Sequence, residues 1–80
     1  MNTYEFTHTS QCPNGNLIDY YQITLKSAQT IQVELILETL KQAPAMIYQE
    51  DLATFLRSRL AGHLSIVGWH HGIKITTSLE

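Results

Sequence analysis

The chain has 80 residues, 44% of them hydrophobic and 15% charged, which bounds it to one small domain. Leu, Ile, Val and Phe together number 22, above the roughly 20% share below which a chain stays disordered. The net charge of −2 with no basic block excludes a surface built to neutralise nucleic-acid phosphates, a lone cysteine excludes an internal disulfide, and apolar runs of three or four residues cannot span a membrane.

In chain order, Tyr4-Glu5-Phe6-Thr7-His8-Thr9 alternates apolar with polar and is rich in aromatic and β-branched residues, a strand pattern. Gln11-Cys12-Pro13-Asn14-Gly15-Asn16 breaks it with turn chemistry. A second alternating run sets Tyr21, Ile23 and Leu25 on one face and Tyr20, Gln22, Thr24 and Lys26 on the other. The two runs predict an antiparallel hairpin with a wide loop.

The period then changes. Val33, Ile36, Leu37 and Leu40 fall at i, i+3, i+4 and i+7, a helical stripe that Ala43-Pro44 ends. Its entry is ambiguous, because Thr30-Ile31-Gln32-Val33 also reads as a strand. A second helix is expected from Gln49 or Glu50, with Leu52, Phe55, Leu56 and Leu60 inward, Arg57 and Arg59 near its end, and Gly62 as C-cap. Leu64 to Trp69 and Ile73 to Thr77 read as two closing strands, joined through His70-His71-Gly72. The prediction is an α+β domain over residues 1–78, ordered β-β-α-α-β-β, with two helices on one face of a four-stranded antiparallel sheet.

Leu64, Ile66, Ile73 and Ile75 join Tyr21, Ile23 and Leu25 on the covered face, while Thr7, Thr9, Gln22, Thr24, Lys26, Lys74 and Thr76 take the other. Two open sheet edges on so small a domain predict a homo-oligomer. The polar start carries no signal-peptide pattern, and with the unpaired thiol a cytoplasmic protein is expected. Leu79-Glu80 is read as the remnant of an expression tag and assigned no role.

Three residues stand out chemically. Cys12 lies in a turn before Pro13, where a thiolate stabilised by a neighbour acts as a nucleophile; the plain alternative is a small buried hydrophobe. Asp19 follows seven residues later, at the start of the second strand, where a hairpin loop can return it to Cys12 for proton transfer; otherwise it is an ordinary loop acid. Glu50, at the start of the second helix, can accept the paired N–H donors of a guanine-like or pterin-like ring, or serve only the helix dipole. His8 and Cys12 are zinc-type ligands, but no two of the four histidines share an i, i+4 spacing. His70 and His71, being adjacent, are expected on opposite faces of a strand. No metal site is predicted.

These residues coincide with a family pattern. Glu5-Phe6-Thr7, Ser10-Gln11-Cys12-Pro13 and Asp19 resemble the "EFTSxCP…D" segment of the 7-cyano-7-deazaguanine reductases, the NADPH-dependent nitrile reductases of queuosine biosynthesis. Tyr48-Gln49-Glu50-Asp51 resembles the family's "FHED", and Val67-Gly68 with His71-Gly72-Ile73-Lys74-Ile75 its closing hairpin. The resemblance covers nearly the whole chain. It implies the tunnelling fold shared with GTP cyclohydrolase I and pyruvoyl-tetrahydropterin synthase, whose subunits join into barrels and bind purines or pterins between neighbours. It further implies Cys12 as nucleophile, Asp19 as proton donor, and Glu50 with Gln49 as the ring anchor.

The chain also departs from the pattern. Where the reductases open their first helix with an "ESKSLK"-like stretch associated with NADPH, this chain has Glu34-Leu35-Ile36-Leu37-Glu38-Thr39, which leaves Glu34 as the counterpart. Gln49 replaces the family's histidine, and a Gln-Glu pair is similar to the ring anchor of GTP cyclohydrolase I. Three readings follow: an NADPH-dependent nitrile reductase acting through a Cys12 thioimide, a deazapurine- or pterin-binding protein that works without NADPH, and a small oligomeric interaction module without catalysis.

Overall fold

The computed structural model describes residues 1–15 and 17–80. Asn16, the last residue of the expected turn, lies outside the described residues. The elements are β1 (Asn2–Gln11), β2 (Ile18–Ser27), α1 (Val33–Gln42), α2 (Gln49–Arg59), β3 (His63–His70) and β4 (Ile73–Leu79). This is the β-β-α-α-β-β order that the periodicities predict.

The strands form one sheet in the order β1-β2-β3-β4, every pair antiparallel. Register follows from side-chain alternation: Tyr4 faces Leu25, Phe6 faces Ile23 and His8 faces Tyr21, while Ile23 also pairs Ile66 and Leu25 pairs Leu64. A slip of one residue would turn every one of these apolar groups to the opposite face. Both helices lie in the connection from β2 to β3, and Tyr21, Ile23, Leu25, Leu52, Ala53, Leu56, Leu60, Leu64 and Ile66 are buried between sheet and helices. On the opposite face Thr7, Thr9, Gln22, Lys26, Lys74 and Thr76 are exposed and Thr24 is half-buried, as the alternation predicts.

The ladders extend past the alternating stretches, because backbone hydrogen bonds require no apolar pattern. β3 therefore includes His63 and His70, and β4 runs to Leu79, which pairs with Leu64 and packs against the core. The guanidinium of Arg57 donates to the Glu80 carbonyl at 3.1 and 3.2 Å. The β3–β4 loop has two residues, His71 (φ 53°) and Gly72 (φ 81°). Positive φ at both positions is the mirror-image turn that matches strand twist.

Several sequence expectations need correction. α1 begins at Val33, so Thr30–Val33 is no strand. Its predicted stripe is only partly inward: Ile36 is buried and Leu40 half-buried, but Val33 and Leu37 are 57% and 55% exposed. Thr39 takes a buried place instead, its hydroxyl satisfied by donating to the Leu35 carbonyl at 2.7 Å. The helix is apolar over more than one flank, and packing selects the Ile36–Thr39–Leu40 edge. In α2 Phe55 is half-buried and carries the Arg59 guanidinium over its ring at 4.6 Å, while Ala53 is fully buried. Gly62 is not the C-cap; Leu60 is. Gly62 stands at φ 136°, where any Cβ would overlap the Lys26 carbonyl oxygen, so close approach to β2 requires glycine there. Ile73 keeps the predicted side of β4 but is 66% exposed beside the turn, where no helix covers it. Among the described residues no helix is long and apolar enough to cross a membrane.

Candidate functional site

The end of β1 carries the site together. Gln11 N–H donates to the Ala45 carbonyl at 2.8 Å and Ile47 N–H to the Gln11 carbonyl at 3.2 Å, a parallel bridge centred on Gln11 and Met46. This bridge holds the α1–α2 connection against β1, so the next residues, Tyr48 to Glu50, come to lie across from the Cys12 turn. Within that turn Gly15 N–H donates to the Cys12 carbonyl at 3.2 Å, with Pro13 at the second position, where its fixed φ is favoured. Cys12 N–H donates to the Leu17 carbonyl at 3.2 Å. Tyr48, the N-cap of α2, donates its hydroxyl to Asn14 Oδ1 at 2.8 Å and ties the two walls.

Between these walls is a cavity of about 500 Å³, bordered by Cys12, Asp19, Tyr21, Gln49, Glu50 and His70 among others. That volume suits a small heterocyclic ligand. Cys12 is half-buried, Asp19 is 8% exposed, and Glu50 is exposed in the first turn of α2. The four residues expected at the site from the Cys12 and Glu50 segments, namely Cys12, Asp19, Gln49 and Glu50, therefore border one cavity. Glu34 does not: it is exposed in the first turn of α1 and is absent from the cavity wall.

A polar network floors the cavity. Tyr21 donates its hydroxyl to Asp19 Oδ2 at 3.3 Å, and His70 Nδ1 lies 3.6 Å from Asp19 Oδ1. Gln49, 3% exposed, sits 2.9 Å from His70 Nε2 through Oε1. Its Nε2 lies 3.0 Å from the Ile75 carbonyl, 3.1 Å from the Ile66 carbonyl and 3.2 Å from Thr77 Oγ1. The Gln49 amide is thus engaged within the protein, and Glu50 is the anchor residue left facing outward. Burial, and next the Asp19 charge, push the Tyr21 phenol up to about 12, so the hydroxyl stays a donor. Gly68 makes room for this arrangement: a Cβ there would lie 2.6 and 2.7 Å from the Tyr21 ring and 2.9 Å from Gln49 Oε1.

Tyr21 and His70 were not predicted as site residues. For His70 a signal exists, since it continues the inward period Leu64, Ile66, Gly68 along β3, at the strand end that faces Asp19. The two adjacent histidines do not take opposite faces of one strand. His70 ends β3, His71 occupies the turn, and both border the cavity. Among the described residues no group of three or more His, Cys, Asp or Glu side chains is arranged to hold a metal ion.

No family model and no curated protein matches the chain. A solved structure does: that of the archaeosine synthase QueF-Like in the apo form, similar with a TM-score of 0.78 over 98% of this chain and 89% of that one, at 12% sequence identity. The fold is the tunnelling fold. At that identity the likeness carries the architecture and no residue roles. In the tunnelling-fold unit seen here, the cavity opens where the Cys12 turn, the start of α2 and the β3–β4 turn converge.

Proposed function

We propose that this protein binds a 7-deazaguanine-type heterocycle and captures its nitrile covalently on Cys12, without NADPH. The observation that carries this reading is the convergence of Cys12, Asp19 and Glu50, from a turn, a strand and a helix, on one cavity of about 500 Å³. Glu50 is the group that accepts two ring N–H donors in a bidentate, charge-assisted contact. Cys12 Sγ forms a bond to the nitrile carbon as one C–N π bond breaks; the nitrogen takes a proton from Asp19, and the thiol proton replaces it. The product is a thioimide, with no change of oxidation state. The similarity to a structure named as an archaeosine synthase supports a deazaguanine-type substrate.

The residues present do not fit NADPH. Among the described residues neither Lys nor Arg borders the cavity to meet its phosphates, and Glu34, the counterpart of the reductases' first-helix glutamate, is outside it. The proposed reaction therefore has no hydride step. Intact mass spectrometry after incubation with 7-cyano-7-deazaguanine tests the reading. The expected result is an adduct of the full mass of the nitrile, absent in Cys12→Ala and indifferent to NADPH. Formation of the amine with NADPH would restore the reductase reading. No adduct and no heat-stabilisation by any purine or pterin would overturn ligand binding altogether.

A further inference from the structure

We infer that His70 is the positioning residue for Asp19: the His70–Asp19 pair holds one proton between them, oriented by Gln49, and presents it to the ligand through Asp19. This rests on the covalent reading above and adds a residue to it.

The amide of Gln49 decides the orientation. Its Nε2 faces three acceptors, the Ile66 and Ile75 carbonyls and Thr77 Oγ1, at 3.0 to 3.2 Å. Only an amide nitrogen satisfies that arrangement, so the opposite end, facing His70 Nε2 at 2.9 Å, is the oxygen. An amide oxygen only accepts, so His70 Nε2 must carry a hydrogen. The other ring nitrogen, Nδ1, then faces Asp19 Oδ1 at 3.6 Å.

A bare Nδ1 opposite an ionised carboxylate would set two acceptors against each other in a largely buried place, since Asp19 is 8% exposed. One proton between them removes the conflict, whether it resides on nitrogen or on oxygen. The second Asp19 oxygen is occupied by the Tyr21 hydroxyl at 3.3 Å. Tyr21 is held there by its burial and by the space that Gly68 leaves it. The Oδ1–Nδ1 side is thus where the pair keeps its proton, and the Cys12 thiol proton restores it after Asp19 has given one to the nitrile nitrogen. The chain from the β3 and β4 carbonyls through Gln49 and His70 to Asp19 joins the start of α2 to β2 across the sheet.

The test measures the rate of Cys12 adduct formation against 7-cyano-7-deazaguanine concentration in the wild type, His70→Ala and the shape-retaining His70→Asn. The expected result is a maximal rate at least about tenfold lower in both variants, short of the roughly hundredfold or more that loss of the proton donor itself costs. The half-saturating concentration should stay within about twofold, and added imidazole should recover part of the His70→Ala rate. An unchanged maximal rate, or a loss seen only in half-saturation, overturns the proposal while leaving the covalent reading intact. A wild type that forms no adduct overturns both. Imidazole 15N spectra of the ligand-free wild type supply an arm independent of folding in the variants. Hydrogen on Nε2 is expected; hydrogen on Nδ1 alone, with Nε2 bare, overturns the arrangement.

Discussion

Gly68→Ala is the sharpest test of how the site is packed. A Cβ at this position would stand 2.6 and 2.7 Å from two carbons of the Tyr21 ring and 2.9 Å from Gln49 Oε1, so ring and amide must move by several tenths of an ångström or more. Neither is free to do so. Tyr21 is 1% exposed, wedged in the core and bonded to Asp19; Gln49 is held by β3 and β4. Overpacking of this kind costs about 1–3 kcal/mol. Replacing a strand glycine returns about 0.5–1 kcal/mol of chain entropy; contacts this short put the overpacking cost in the upper part of its range, leaving a net loss of about 1–2.5 kcal/mol. A domain of this length holds about 4–12 kcal/mol in all, so the variant should fold. Its Tm should fall by about 5–15 °C. Circular dichroism melts read the effect, with Gly15→Ala as control, because a Cβ at Gly15 meets nothing within 4 Å. Equal melting temperatures for the two variants would refute the reasoning, and so would a Gly68→Ala that gains stability.

Two further predictions concern pH. His8, on the inner face of β1 opposite Tyr21, has its pKa lowered from 6.5 by burial, so the folded state favours the neutral ring. The unfolded chain then binds the proton more readily, and stability present above about 6.5 is lost as pH falls below it. The urea midpoint should drop between pH 7.5 and 5.5, and by less in His8→Gln; an identical drop in that variant would remove His8 as the cause. Tyr21 is raised from 10.0 to about 12, so its contribution is full below pH 10 and is lost as pH rises from 10 toward 12. Absorbance at 295 nm should show one of the four tyrosines ionising after the others, and Tyr21→Phe should abolish that late step; a single transition near pH 10 in the folded protein contradicts the assignment.

Much of the fold is legible in local pattern because each element follows a period that neighbouring residues set. Alternation places Tyr21, Ile23 and Leu25 on the covered face, and the change to a period of 3.6 marks both helices. Turn chemistry at Cys12-Pro13-Asn14-Gly15 and His71-Gly72 marks the hairpin ends. The candidate nucleophile, acid and anchor were legible for a different reason: Cys12, Asp19 and Glu50 stand in short segments whose spacing resembles a family pattern.

What the chain order could not settle depends on distances between residues far apart along it. The flank of α1 that is buried is chosen by its fit against its neighbours, and a helix with Val33, Leu35, Ile36 and Leu37 offers more apolar surface than one small sheet can cover. Gly62 and Gly68 read as a cap and an ordinary strand residue until the Lys26 carbonyl and the Tyr21 ring are seen to occupy the space of their missing side chains. Composition and period alone determined an α+β unit of four strands and two helices. Only the tertiary structure decided that β3 carries His70 back to within 3.6 Å of Asp19, because a contact between residues so far apart along the chain requires β2 and β3 to be paired in register first.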